Sequence, residues 1–99
     1  MARFDVIEMK DGGGLVVDCQ ADILGSLNTR IVVPLLPSDA APPPAARLNP
    51  VFEIGGNEFV FVTQHASAVP LGELGRVVGR VKMHDIAIAN AFDMLLTGY

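Results

Sequence analysis

The apolar and polar positions of this chain alternate at period two for most of its length and shift to a helical period only near the end. Phe4 to Met9 is a short run with Phe4, Val6 and Glu8 on one face. Lys10-Asp11-Gly12-Gly13-Gly14 follows, and three glycines after an aspartate supply positive φ at no steric cost, which predicts a turn. Leu15 to Gln20 alternates, with Leu15, Val17 and Cys19 on one face and Val16, Asp18 and Gln20 on the other, so the two runs read as a β-hairpin. Ala21 to Asn28, interrupted by Gly25 and Ser26, is a connecting loop. Arg30 to Leu36 is β-branched at Ile31-Val32-Val33 and carries Pro34, which cannot donate to a ladder and predicts an edge strand or a bulge. Val51 to Ile54 and Glu58 to Thr63 flank Gly55-Gly56-Asn57 and form a second hairpin. Pro70, Gly72, Gly75 and Gly79 punctuate the next part, where Leu74 to Lys82 reads as one more short strand. From His84 onward Ile88, Phe92, Leu95 and Leu96 recur at helical spacing among alanines; Asp85 is the expected N-cap and Gly98 the expected C-terminal stop. The outline is an antiparallel β-domain with one C-terminal helix, a single unit over residues 1–99.

Six of the seven prolines fall between Pro34 and Pro50, and Pro42-Pro43-Pro44 sits among four alanines. Pro37 to Arg47 is therefore a stiff, extended surface loop. Extended backbone of this kind loses little entropy on docking a disordered partner.

Composition adds a question about partners. Half the chain is hydrophobic (51%) and only 18% is charged, against a usual charged share of about 25%. A surplus of apolar surface on so small a domain calls for a covering outside the monomer. A membrane is not that covering, because the longest apolar stretches, such as Ile31 to Pro37, fall far short of the roughly 20 residues a spanning helix needs. A second copy of the chain or a different protein partner is the better expectation. Seven Lys and Arg against eleven Asp and Glu give a net charge of −4, with the basic residues scattered, so direct phosphate binding is not expected. A single cysteine, Cys19, and an N-terminus without an apolar leader point to a reducing cytoplasm.

Candidate chemistry is sparse. His65 and His84 have no Cys or His at metal-ligand spacing and read as structural or solvated histidines. Asp18 and Asp22 are close in sequence, but one reads as a solvent-facing strand acid and the other as a turn acid. Gly12-Gly13-Gly14 lacks the Lys-Ser/Thr of a phosphate loop. Cys19 reads as a small buried hydrophobe. The sequence supports neither catalysis nor a metal nor a cofactor.

Val17-Asp18-Cys19-Gln20-Ala21-Asp22-Ile23-Leu24 resembles the segment after the first hairpin in CcdB-type toxins of bacterial toxin–antitoxin pairs. Arg30-Ile31-Val32-Val33-Pro34-Leu35, Asn49-Pro50-Val51, Ile54-Gly55, Ala66-Ser67-Ala68-Val69-Pro70 and Ile88-Ala89-Asn90-Ala91-Phe92 continue the resemblance in order to Gly98. It implies a small SH3-like β-barrel domain with a C-terminal helix that forms a homodimer, the two helix ends close together on one face. It further implies that this face binds the A subunit of DNA gyrase and traps the enzyme on cleaved DNA. A cognate antitoxin of the CcdA type would remove the toxin, and operator DNA would be contacted only through that antitoxin. The gyrase-facing positions implied here are Ile23, Leu24, Asp93, Leu96, Thr97, Gly98 and Tyr99. Family members end in an aromatic-Trp-Gly-Ile tail; this chain has Leu96-Thr97-Gly98-Tyr99, so Gly98 matches and Thr97 stands at the tryptophan position. Asp93 stands where the family often has Asn.

Two other readings share the fold. A MazF-type endoribonuclease would need gathered basic and polar residues to hold RNA, which the acidic balance opposes. A member that still binds antitoxin but no longer poisons gyrase is compatible with Thr97.

Overall fold

The computed structural model describes residues 1–98, and its organising element is a long strand that meets three others. β1 (Asp5–Met9) and β2 (Leu15–Asp18) form the first hairpin, in register at Val6↔Val17 and Glu8↔Leu15. β3 (Thr29–Pro37) pairs antiparallel with β2 along one side. Its other side is shared by β5 (Asn57–Phe61) and β6 (Ser67–Pro70). β4 (Val51–Ile54) adds to β5, and β7 (Leu74–Arg80) adds to β1 with two register shifts. The order β4-β5-β3-β2-β1-β7, with β6 also on β3, curls into an antiparallel half-barrel. The C-terminal helix α1 (Asp85–Thr97) packs on one face of this sheet.

The expectation for Pro34 is overturned: β3 is the central strand, not an edge. The Pro34 carbonyl accepts the Val62 N–H at 3.0 Å, so its nitrogen faces the same side, away from β2. On that side β6 has ended at Val32↔Ser67 and β5 begins at Leu35↔Phe61. The missing donor falls in the gap where one neighbour replaces the other, which is how a proline is accommodated inside a sheet.

Both faces of the first hairpin are buried. Val6 and Ile7 are both buried, as are Val16, Val17 and Asp18. The main core gathers Phe4, Val6, Val17, Val33, Leu35, Phe52, Phe61, Val81, Ile88 and Ala91 under the helix. Because the sheet curls, Ile7, Val16, Val32 and Leu74 close a second cluster on the opposite face, with Met9 and Val69 against it. Asp18, expected to face solvent, therefore ends in the interior, whereas Asp22 is exposed as expected.

The second hairpin turns on Gly55 and Gly56 alone, at φ 60° and 84°, with Ile54 paired to Asn57. That left-handed pair matches the twist of the flanking strands. In the helix, His84 occupies the cap position and Asp85 is the first helical residue, its Oδ1 accepting the Ile86 N–H at 2.8 Å. The expected Asp85 cap is thus displaced by one residue; the acid still sits in the first turn, where the helix dipole favours it. Gly98 ends the helix as expected, at φ 81°, its N–H donating to Met94 O at 3.1 Å.

The proline-rich stretch between β3 and β4 lies on the surface and is held at its far end by Asn49. The Asn49 Oδ1 accepts from the Ala45 N–H, and its Nδ2 donates to Phe61 O and Gln64 Oε1. Thr63 Oγ1, fully buried, donates to Leu48 O.

Candidate functional site

The helix buries Ile88 and Ala91 and half-buries Phe92, whose ring meets Phe61 edge-on at 6.4 Å. One turn later the apolar stripe has left the core: Leu95 is exposed and Leu96 is 75% exposed. Leu96 and Asp93 line one wall of an open groove of about 360 Å³, together with Ala89 and Phe92. Its other wall is Arg3, Cys19 and Ile31, from the N-terminal segment and the sheet.

Ile23 and Leu24 do not line that groove. They lie on a 3-10 turn, Asp22–Leu24, that has no buried residue, and Ile23 is 89% exposed. The link between turn and groove is Arg3. Its N–H donates to Asp22 Oδ1 at 2.8 Å, while its guanidinium sits 4.4 Å from the Phe4 ring centroid. Phe4 itself adopts φ 73°, in the left-handed region a phenylalanine rarely occupies. Its N–H donates to Asp18 O and its carbonyl accepts from Val81 N–H, and these bonds fix the segment carrying Arg3. Nothing in the sequence marks Arg3, because its role arises only when the first and last segments meet.

The remaining predicted residues are at the helix end. Thr97, which the resemblance sets at a tryptophan position, donates its hydroxyl back to Asp93 O at 2.7 Å. It satisfies a helix-end carbonyl and offers no ring for stacking. Gly98 is exposed, and Tyr99 lies outside the described residues.

Beneath the turn is a buried polar group. Asp18 and Arg30 form an ion pair at 3.5 Å with both side chains almost wholly buried. Asp18 Oδ1 accepts the Gln20 N–H at 3.0 Å. Burial raises the Asp18 carboxyl above its ordinary value, opposed by the Gln20 N–H and then by the Arg30 charge. Burial also pushes the Cys19 thiol up to about 12, with the Asp18 charge adding to the rise. So raised a thiol is not a nucleophile near neutral pH; Cys19 itself is half-buried at the groove wall rather than buried as expected.

His84 stacks on Phe52 at 4.5 Å, a structural contact, and His65 is exposed. Among the described residues no three His, Cys, Asp or Glu side chains gather to hold a metal ion. Scattered in sequence, Arg3, Arg80 and Lys82 do meet around one cleft, but Asp22 and Asp85 line it too and Arg80 is paired with Asp5 at 3.2 Å. No helix among the described residues is long and apolar enough to cross a membrane.

The sequence model of the family described as CcdB protein matches residues 3–98, almost the whole chain and all the elements above. The curled antiparallel sheet with its single C-terminal helix fits that family. Its members are toxins of toxin–antitoxin pairs that poison gyrase rather than enzymes in their own right. The chain belongs to the CcdB family.

Proposed function

We propose that this chain binds the A subunit of DNA gyrase through the exposed end of its helix and the Asp22–Leu24 turn, and that it traps the enzyme on cleaved DNA. The observation that carries this reading is the exposure of two aliphatic side chains, Ile23 at 89% and Leu96 at 75%, at positions that the resemblance implies face the target. Solvent-exposed aliphatics of this size cost nothing singly, but two on elements joined through Arg3 supply anchors for a partner. Leu24, Asp93, Thr97, Gly98 and Tyr99 complete the proposed contact set.

The toxin acts as a homodimer, which brings two copies of this face together and covers part of the apolar surplus. A cognate CcdA-type antitoxin removes it from gyrase and supplies the operator-DNA contact, so the toxin needs no basic patch. The proline-rich loop, largely exposed and bounded by turns at 38–40 and 46–48, is a docking edge for that antitoxin. Titration with a cognate antitoxin peptide should shift the amide signals of this loop; unmoved signals rule the contact out.

Supercoiling and cleavage assays with purified gyrase test the reading. At micromolar protein, supercoiling should stop and linearised DNA accumulate on denaturation; neither effect would refute it. A second reading, antitoxin binding without poisoning, is favoured by Thr97, whose hydroxyl is spent on Asp93 O where family members stack a tryptophan. A lost cation–π contact weakens binding by about 0.5–2 kcal/mol. The same assays separate the two, since the second predicts a stable antitoxin complex and no trapped DNA.

A further inference from the structure

Every residue from Ala21 to Thr29 is exposed, so the segment carrying Ile23 and Leu24 has no core of its own. Its internal bonds are local: Leu24 N–H to Ala21 O, Gly25 N–H to Asp22 O and Leu27 N–H to Leu24 O. Such a segment, left to itself, would sample many conformations, and ordering it on docking would cost affinity. Few bonds tie it to the rest of the molecule. Arg3 N–H reaches Asp22 Oδ1, and Leu71 N–H reaches Asn28 O. The third tie comes from inside.

Gln20 is buried, and its amide uses both ends. Nε2 donates to Leu24 O at 2.9 Å, and Oε1 accepts the Ile31 N–H at 3.2 Å. One side chain thereby bridges the turn to the start of β3, at a point where β2 has ended and Ile31 N–H would lack a strand partner. The Gln20 backbone is fixed in turn by Asp18 Oδ1, and Asp18 by Arg30. The Arg30 guanidinium extends under the same segment: a side-chain carbon added at Gly25 would lie 3.7 Å from Arg30 Nη2. The buried polar group is thus arranged around the loop rather than the core.

We propose that Gln20 is a positioning residue for the target-binding surface, its amide clipping the Leu24 carbonyl to β3 so that Ile23 and Leu24 are presented in one conformation before a partner arrives. The binding arm of this proposal rests on the gyrase reading above; the clip itself does not.

Gln20→Glu tests it at one atom. The carboxylate keeps the acceptor for Ile31 N–H but turns an oxygen toward the Leu24 carbonyl, so the tie to the turn is lost, with a charge added beside buried Asp18. Gln20→Met, of similar length, removes both bonds and covers the case in which the buried charge disturbs folding. Hydrogen exchange on the full chain should show the Leu24, Gly25 and Leu27 amides losing protection about tenfold, the change expected for one buried hydrogen bond. The strand amides other than Ile31 should keep their protection in Gln20→Met, whereas Gln20→Glu, which buries a carboxylate beside Asp18, should also lower the denaturation midpoint. The gyrase target should bind about tenfold more weakly, and adding Gln20→Glu to an Ile23→Ala/Leu24→Ala chain should cost nothing further, because the clip acts through those side chains. Unchanged protection of the turn in both variants would overturn the proposal, as would a uniform loss over the whole sheet, which marks a packing residue. Faster exchange with unaltered gyrase affinity would overturn the positioning role while leaving the gyrase reading intact. Failure of the wild-type chain to bind gyrase would sink that reading alone, with the exchange result still deciding the clip.

Discussion

Ile88 and Leu96 stand on the same helix, both aliphatic, both on the apolar stripe that helical spacing draws, and their surroundings are opposite. Ile88 is 1% exposed, enclosed by the main core that Phe61, Val81 and Ala91 share, whereas Leu96 is 75% exposed over an open groove. The sheet explains the difference. It receives Ile88 and Ala91 from the middle of α1 into the main core, and the last turn runs past the covered region. One stripe is thus divided, with Ile88 in the core and Leu96 left in solvent.

The largest effect that sharpens this contrast is on stability. Ile88→Ala should cost about 2–5 kcal/mol, as buried aliphatic truncations do, read as a fall in the urea midpoint with an unchanged slope. Leu96→Ala should move stability by no more than about 0.5 kcal/mol while weakening gyrase binding tenfold or more. Equal destabilisation by the two substitutions would erase the distinction. Deleting residues 97–99 removes the Thr97–Asp93 and Gly98–Met94 bonds at the helix end and should cost about 1 kcal/mol. Far-ultraviolet circular dichroism should stay native, and growth inhibition on induction should disappear.

Smaller effects probe the interior next to the turn. Asp18 titrates above its ordinary 3.8 in the folded chain, so the folded state holds the proton more tightly than the unfolded one. Its contribution to stability is fully present below 3.8 and is lost as pH rises through the raised folded value. The stability of wild type relative to Asp18→Asn, from denaturant titrations over this range, should therefore fall as pH rises; a difference that grows with pH would contradict the burial. Cys19, raised from 9.0 to about 12, should react with a thiol reagent at pH 8 roughly a thousandfold more slowly than in denaturant. Comparable rates in the two conditions would show the thiol to be unburied.

Much of this architecture is visible in the linear pattern. The Gly55-Gly56 turn, the β-branched Ile31-Val32-Val33 and the Gly98 stop are local signals, and local physics decides them. What escaped the pattern depends on partners far along the chain. Ser67–Pro70 does not alternate, and it becomes β6 only because β3 offers it an open side. Asp18 alternates with Val17 as a surface residue would, yet the curl of the sheet gives it a second interior. Pro34 reads as an edge signal because no single-strand rule foresees two neighbours sharing one side of β3. The predicted target-facing residues divide in the same way. Ile23, Leu24 and Leu96 are exposed as a contact surface requires, while Arg3 and Gln20, which hold that surface in place, leave no mark in the sequence.

The central claim is that the exposed second half of the stripe, with the adjoining turn, is a docking surface for gyrase. Calorimetric titration of the purified A subunit of gyrase with the wild-type chain, Ile23→Ala, Leu96→Ala and Ile88→Val tests it most directly. Saturable binding by wild type and Ile88→Val, weakened at least tenfold in Ile23→Ala and Leu96→Ala at unchanged denaturation midpoints, is the predicted result. Binding that is absent in wild type, or indifferent to both exposed aliphatics, would contradict it.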